Sequence, residues 1–100
     1  MRNKTQGSNF IYLENAFQIT TDKNTSKRTK TYQYDRIVPI DTINIIYLDD
    51  FPEFGNVFSI YRKDGYNDYF VEANENETLA DFYWRIQNPK MTTKNKKHRE

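Results

Sequence analysis

Apolar and polar residues alternate from Val57 to Ala73, and the apolar spacing then changes to threes and fours as far as Ile86. This switch predicts a β-hairpin running into an amphipathic helix. Val57-Phe58-Ser59-Ile60-Tyr61-Arg62-Lys63 reaches Asp64-Gly65 and returns as Tyr66 to Ala73. Asp-Gly between alternating residues is the signature of a two-residue type I′ turn. Such a turn sets Lys63 against Tyr66, Ile60 against Tyr69 and Phe58 against Val71, and places Phe58, Ile60, Tyr69, Val71 and Ala73 on one face, the expected core side.

The helix is expected over residues 75 to 88, with Asn74 as its cap and Glu77 reaching back to it. Glu75, Glu77 and Asp81 suit the positive end of the helix dipole. Leu79, Phe82, Tyr83 and Ile86 form a single apolar stripe, and Asn88-Pro89 stops the helix. Ala80 and Trp84 lie at the margin of that stripe, so the only tryptophan is either a partly covered flank of the core or an exposed contact.

The first half of the chain reads as strands. Ile11, Leu13, Phe17 and Ile19 fall on one face of a strand that is bulged or broken near Glu14-Asn15. Thr20 to Thr31 lacks any apolar residue and is expected to be a mobile hairpin tip. Extended pattern resumes from Tyr32 to Ile40, with Pro39 implying an edge or a break, and again from Ile43 to Leu48. Asp49 to Asn56, with its Pro and Gly, is a connecting loop that carries Phe51 and Phe54. The fold class is therefore α+β: a small antiparallel β-sheet or partly open barrel of five to six strands with one C-terminal helix. Residues 1 to 8 are expected to be a flexible arm, 9 to 88 a single β-rich domain, and 89 to 100 a disordered basic tail.

Composition narrows the function classes. There is no cysteine, which excludes disulfides and thiolate metal sites and suits a reducing compartment. Met1 leads into polar residues, and no apolar run approaches the roughly 18 residues of a membrane span, so the expected location is cytoplasmic. The sole histidine, His98, lies in the basic tail, and neither a phosphate-binding glycine loop nor a nucleophile motif occurs. The chain reads as non-enzymatic and without a cofactor.

Net charge is only +1, yet residues 35 to 81 hold eleven carboxylates against Arg36, Arg62 and Lys63. The sign reverses elsewhere, at Lys23, Lys27, Arg28 and Lys30 and in the tail at Lys90, Lys94, Lys96, Lys97 and Arg99. Asp49, Asp50 and Glu53 are close enough in sequence to suggest a hard cation, but they lack EF-hand spacing, and no metal site is assigned.

Residues 36 to 88 resemble the last part of a pleckstrin-homology-like domain. The likeness lies in Arg36-Ile37-Val38-Pro39-Ile40-Asp41 before Ile43, Asn56-Val57-Phe58-Ser59-Ile60, Tyr69-Phe70-Val71-Glu72-Ala73 and the helix after them. That family's final helix usually carries a tryptophan nine residues after the small residue ending the last strand, and an aliphatic four later; here Phe82 and Ile86 hold those places. The resemblance implies a first hairpin loop that grips phosphoinositide phosphates, and the stretch with Lys23, Lys27, Arg28 and Lys30 is similar in composition. Small flagellar FlbD-like proteins and LytTR DNA-binding domains are similar in their sequence of strand, Asp-Gly turn, strand and short helix. Fold likeness alone does not choose a function.

The leading expectation is a protein-protein interaction module presenting an acidic, aromatic surface: Asp49, Asp50, Phe51, Glu53, Phe54 and Trp84. Phe51 and Phe54 either insert into a partner or fold back over the end of the sheet. The first alternative is phosphate binding, to nucleic acid or anionic lipid, through Lys23, Lys27, Arg28, Lys30, Lys94, Lys96, Lys97 and Arg99. The second is a phage or mobile-element inhibitor of a host nucleic-acid enzyme. A small sheet also has edges through which a homo-oligomer can form, unless Pro39 and the many charges block them.

Overall fold

The computed structural model describes residues 9 to 65 and 68 to 89. The expected arm over residues 1 to 8 and the tail from residue 90 lie outside the described residues. Strand β1 (Phe10–Thr21) pairs with β2 (Arg28–Pro39), and a short 3-10 helix (Ile40–Thr42) leads to β3 (Ile43–Phe51), β4 (Gly55–Arg62) and β5 (Tyr69–Glu72). Helix α1 (Leu79–Gln87) closes the order. All pairings are antiparallel, in the order β2-β1-β5-β4-β3, so the chain is α+β with an open five-stranded sheet.

The register expected for the second hairpin is the register observed, with Ile60 opposite Tyr69 and Phe58 opposite Val71. Its turn is different. The Gly65 N–H donates to the Arg62 carbonyl at 3.1 Å, and of Asp64 and Gly65 only Gly65 has positive φ, at 75°. A type I′ turn needs both central residues there, so Asp64-Gly65 is not that turn, although the strands keep the register it predicts. Tyr66, the expected partner of Lys63, lies outside the described residues.

A bulge in β1 overturns one expected face. Asn15 is left-handed at φ 56°, and the register shifts between Leu13 and Ala16. The bulge inserts a residue, so Ala16 continues the Ile11–Leu13 face in the core cluster, while Phe17 turns to the opposite side of the sheet. Asp35 holds the bulge from β2: its carboxylate accepts from the Asn15 N–H and from the Tyr12 hydroxyl, each at 2.9 Å. A second shift, between Ala16 and Gln18, coincides with Tyr32 at φ 50°. The β1–β2 ribbon then meets the β3–β5 meander in one ladder pair, Phe17 with Phe70.

The sheet is also curled. Four flat inter-strand steps would separate β2 from β3 by about 19 Å. Yet only Ile40–Thr42 joins Pro39 to Ile43, a span of about 8 Å in 3-10 geometry. At this corner the Ile40 N–H donates to the Asn9 carbonyl and the Lys63 N–H to the Thr42 carbonyl, at 2.8 and 2.9 Å. Ile40, Ile43 and Ile46 thereby reach the core of Ile11, Leu13, Val38, Phe58, Ile60, Tyr69, Val71, Phe82 and Ile86.

Helix α1 starts later than expected. Asn74 to Glu77 forms a separate turn, with the Glu77 N–H on the Asn74 carbonyl and the Asn74 N–H on the Glu77 carboxylate. Asn76 is left-handed at φ 60°, which the helix cannot include. Thr78 is the true cap: its hydroxyl accepts from the Asp81 N–H and its own N–H donates to Asp81, both at 3.1 Å. Of the expected stripe, Phe82 and Ile86 are buried, and Phe82 stacks on Phe58 with centroids 4.1 Å apart. Leu79 and Tyr83 are exposed, because at about 100° per residue they lie on one flank of the buried Phe82–Ile86 line. No helix among the described residues is long and apolar enough to cross a membrane.

Candidate binding surfaces

The acidic-aromatic loop and the basic hairpin, read from the sequence as rival surfaces, meet on the side of the sheet away from α1. The chain turns after Phe51, where its carbonyl accepts from the Phe54 N–H at 3.1 Å, and Gly55 supplies φ 80° to re-enter the sheet. The turn lays Phe54 edge-on against Phe17 at 5.8 Å and against Phe51 at 6.0 Å, while Phe51 meets Phe70 at 6.2 Å. Both rings are half-buried, so they fold back onto the sheet.

Two of the basic candidates cover this cluster. The Lys30 ammonium lies 4.8 Å above Phe17 and 5.6 Å from Phe54, and the Arg28 guanidinium 5.3 Å above Phe51. Each also has a carboxylate: Lys30 pairs with Glu72, and Arg28 with Glu53 at 3.5 Å. Lys23 and Lys27 remain exposed in the tip, which is shorter than the Thr20-to-Thr31 stretch because Thr21 and Arg28 already pair. Asp22 organises that tip: its carboxylate accepts the Asn24 and Thr25 N–H groups at 2.8 and 3.1 Å. Those bonds, Thr25's first, hold its pKa below the ordinary value. Lys94, Lys96, Lys97 and Arg99 lie outside the described residues.

Asp49 and Asp50 are separated by strand alternation. Asp49 turns to the side opposite α1, where it accepts the Ser59 hydroxyl at 2.6 Å, and Asp50 is exposed. Burial first, then the Asp49 carboxylate, pushes the Tyr61 phenol above its ordinary pKa. Among the described residues no three carboxylate or histidine groups converge as a metal site would require.

Of the surface on the α1 side the sequence pattern named only Trp84 as a contact. A pocket of about 280 Å³ lies between the corner, β3 and the helix, lined by Ile11, Ile40, Ile43, Asn44, Ile45, Ile46 and Tyr83. Tyr83 is 46% exposed, and beside it on the helix Leu79 is 43% and Trp84 61% exposed. The stripe 79, 83 gave half of this surface, but the sequence read it as core. The pocket depends on the bend at Ile40–Thr42, which has no periodic signal.

Comparison with protein-family models, with curated proteins and with solved structures gives no match to this chain.

Proposed function

We propose that this chain is a non-enzymatic protein-binding module whose contact surface is the outer face of α1, Leu79, Tyr83 and Trp84, with the neighbouring pocket accepting one apolar side chain of the partner. The observation that carries this reading is the helix itself: after burying Phe82 and Ile86 it leaves Leu79, Tyr83 and Trp84 in water, with Tyr83 bordering an open pocket walled mainly by isoleucines. Exposed aromatics around a concave apolar site are the usual anchors of a protein interface. The carboxylates between residues 35 and 81 favour encounter with a basic partner. Phe51 and Phe54, the anchors expected from sequence, serve better as the packing that supports the sheet, since their rings already contact one another, Phe17 and Phe70.

Trp84 is the only tryptophan, so its emission reports on this surface alone. Wild-type protein and a Tyr83→Ala/Trp84→Ala double variant are used to capture partners from lysate, with nuclease present. The expected result is a discrete protein lost by the variant, whose addition in pure form shifts Trp84 emission of the wild type to shorter wavelength. Equal capture by both proteins would overturn the reading.

A further inference from the structure

Both outer edges of the sheet are unpaired among the described residues, but they are not alike. The β2 edge carries the devices that prevent strand addition: Arg28, Lys30 and Arg36, a bulge at Tyr32 and Pro39 at its end. The β3 edge carries Ile43-Asn44-Ile45-Ile46-Tyr47-Leu48, without a basic residue or a proline. Its one irregularity lies between Ile43 and Ile45, and from Ile45 to Phe51 it pairs with β4 without a break. Ile45 and Leu48 are each 40% exposed and Tyr47 48%. The proline and the basic residues therefore guard only one edge, while the charges of the β3 edge, Asp49 and Asp50, are confined to its far end.

We propose that the β3 edge pairs antiparallel with β3 of a second copy of this chain, about a two-fold axis at Tyr47, to give a continuous ten-stranded sheet with both helices on one side. The strand is self-complementary in this arrangement. Ile46 meets Leu48 of the second copy on the helix side, and the two Tyr47 rings meet on the other, so at the centre of the pairing apolar residues face apolar residues. Strand charge selects the direction. Antiparallel pairing places Asp49 opposite the second copy's Ile45 and Asp50 opposite its Asn44, so the two Asp49 side chains stand about 13 Å apart along the strands. That exceeds the Debye length of about 8 Å at physiological salt, whereas parallel pairing would set Asp49 and Asp50 against their own copies. The acidic end of each strand also runs toward the second copy's Arg62 and Lys63, because Ile43 pairs with Arg62 and Thr42 accepts from the Lys63 N–H. Ile43 to Ile46 also line the pocket beside α1, so the pairing is tested on the chain alone, by self-association, whereas partner binding is tested by capture with Tyr83 and Trp84 replaced.

The test is sedimentation of the full chain over a wide concentration range, combined with single cysteines, which the cysteine-free sequence allows without background. The expected mass rises with concentration from the 12.1 kDa of one chain to twice that value. Tyr47→Cys should cross-link to its own copy under mild oxidation, and Gln33→Cys on the β2 edge should not. Tyr47→Lys sets like charges directly opposite each other on the two-fold axis and should keep the circular dichroism of the wild type and remain at the mass of one chain. A mass of one chain at every concentration for the wild type, or equal cross-linking by the two cysteines, would overturn the proposal; the cross-linking comparison decides it even if Tyr47→Lys fails to fold.

Discussion

The two sides of the sheet are both apolar but are closed by different means. On the α1 side a helix supplies Phe82 and Ile86, and the core beneath is excluded from water almost completely. On the other side Phe17 is fully buried, but Phe51, Phe54 and Phe70 remain partly exposed under a short loop and two basic side chains. A helix spans a sheet with interlocking side chains, whereas a three-residue turn covers it only in part. The difference teaches that burial on one side supplies stability, while on the other much of the cover is ionic and easily exchanged.

Truncating Phe82 to Ala should have the largest effect, about 4 kcal/mol, because it empties the stack on Phe58 at the centre of the core. A domain of this size holds roughly 5–15 kcal/mol in total, so this variant should be close to unfolding at ambient temperature. Phe54→Ala should cost only about 1–2 kcal/mol, since part of the ring already meets water. Urea midpoints decide the matter: equal losses would mean that the second side is as much a core as the first.

Next in size is the clasp that sets the helix on its side of the sheet. Arg85 donates two hydrogen bonds to Glu77, at 2.7 and 2.9 Å, and the Glu77 side chain is only 7% exposed. Removing Arg85 leaves that carboxylate buried without its cation, and Arg85→Ala should cost about 2 kcal/mol. Hydrogen bonding from Arg85, opposed by burial, holds the Glu77 pKa below its ordinary 4.5. A carboxyl depressed in the folded state contributes stability that is complete above 4.5 and lost as pH falls through the lower folded value. Acid titration of wild type against Glu77→Gln should therefore show a steeper loss of stability below pH 4.5 in the wild type.

The helix-covered side was the legible one. Alternation in Val57 to Ala73 and the 82, 86 spacing fixed which residues meet, because undisturbed period-two and period-3.6 patterns carry that information. The other side was hidden by one residue. With Asn15 bulged, the alternation assigned Phe17 to the wrong face, and the aromatic cluster it organises could not be assembled from β1. Capping chemistry misled similarly: Asn74 and Glu77 satisfy each other as expected, but in a turn that ends before Thr78 and Asp81 repeat the pattern for the helix. The pocket beside α1 was illegible because it exists only where Ile40–Thr42 brings the two ends of the sheet together.

The bulge can itself be used to sharpen the contrast. Asn15→Val places a β-branched residue at φ 56°, which should cost between about 1 and 2 kcal/mol, and Asn15→Gly should be nearly neutral. The informative readout is amide exchange at Phe17 and Phe70 against Phe58 and Val71. Strain at Asn15 acts on the turn of β1 from one side to the other, so protection should fall first at the Phe17–Phe70 pair. Loss at all four amides together would show that the two sides unfold as one unit.

The smallest effect tests the ionic cover directly. Lys30 sits over Phe17 and Phe54 and pairs with Glu72, but its side chain and its partner both retain contact with solvent. Exposed pairs contribute about 0–1 kcal/mol and cation–π contacts a similar amount, so Lys30→Gln should destabilise by less than about 1 kcal/mol. Its signature is salt dependence. Screening weakens an exposed ion pair and leaves stacked apolar rings untouched, so high salt should narrow the gap between wild type and Lys30→Gln while leaving that between wild type and Phe82→Ala unchanged. A salt-independent loss in Lys30→Gln would assign the contribution of Lys30 to its methylene stem packed on the rings, making the second side a hydrophobic closure after all.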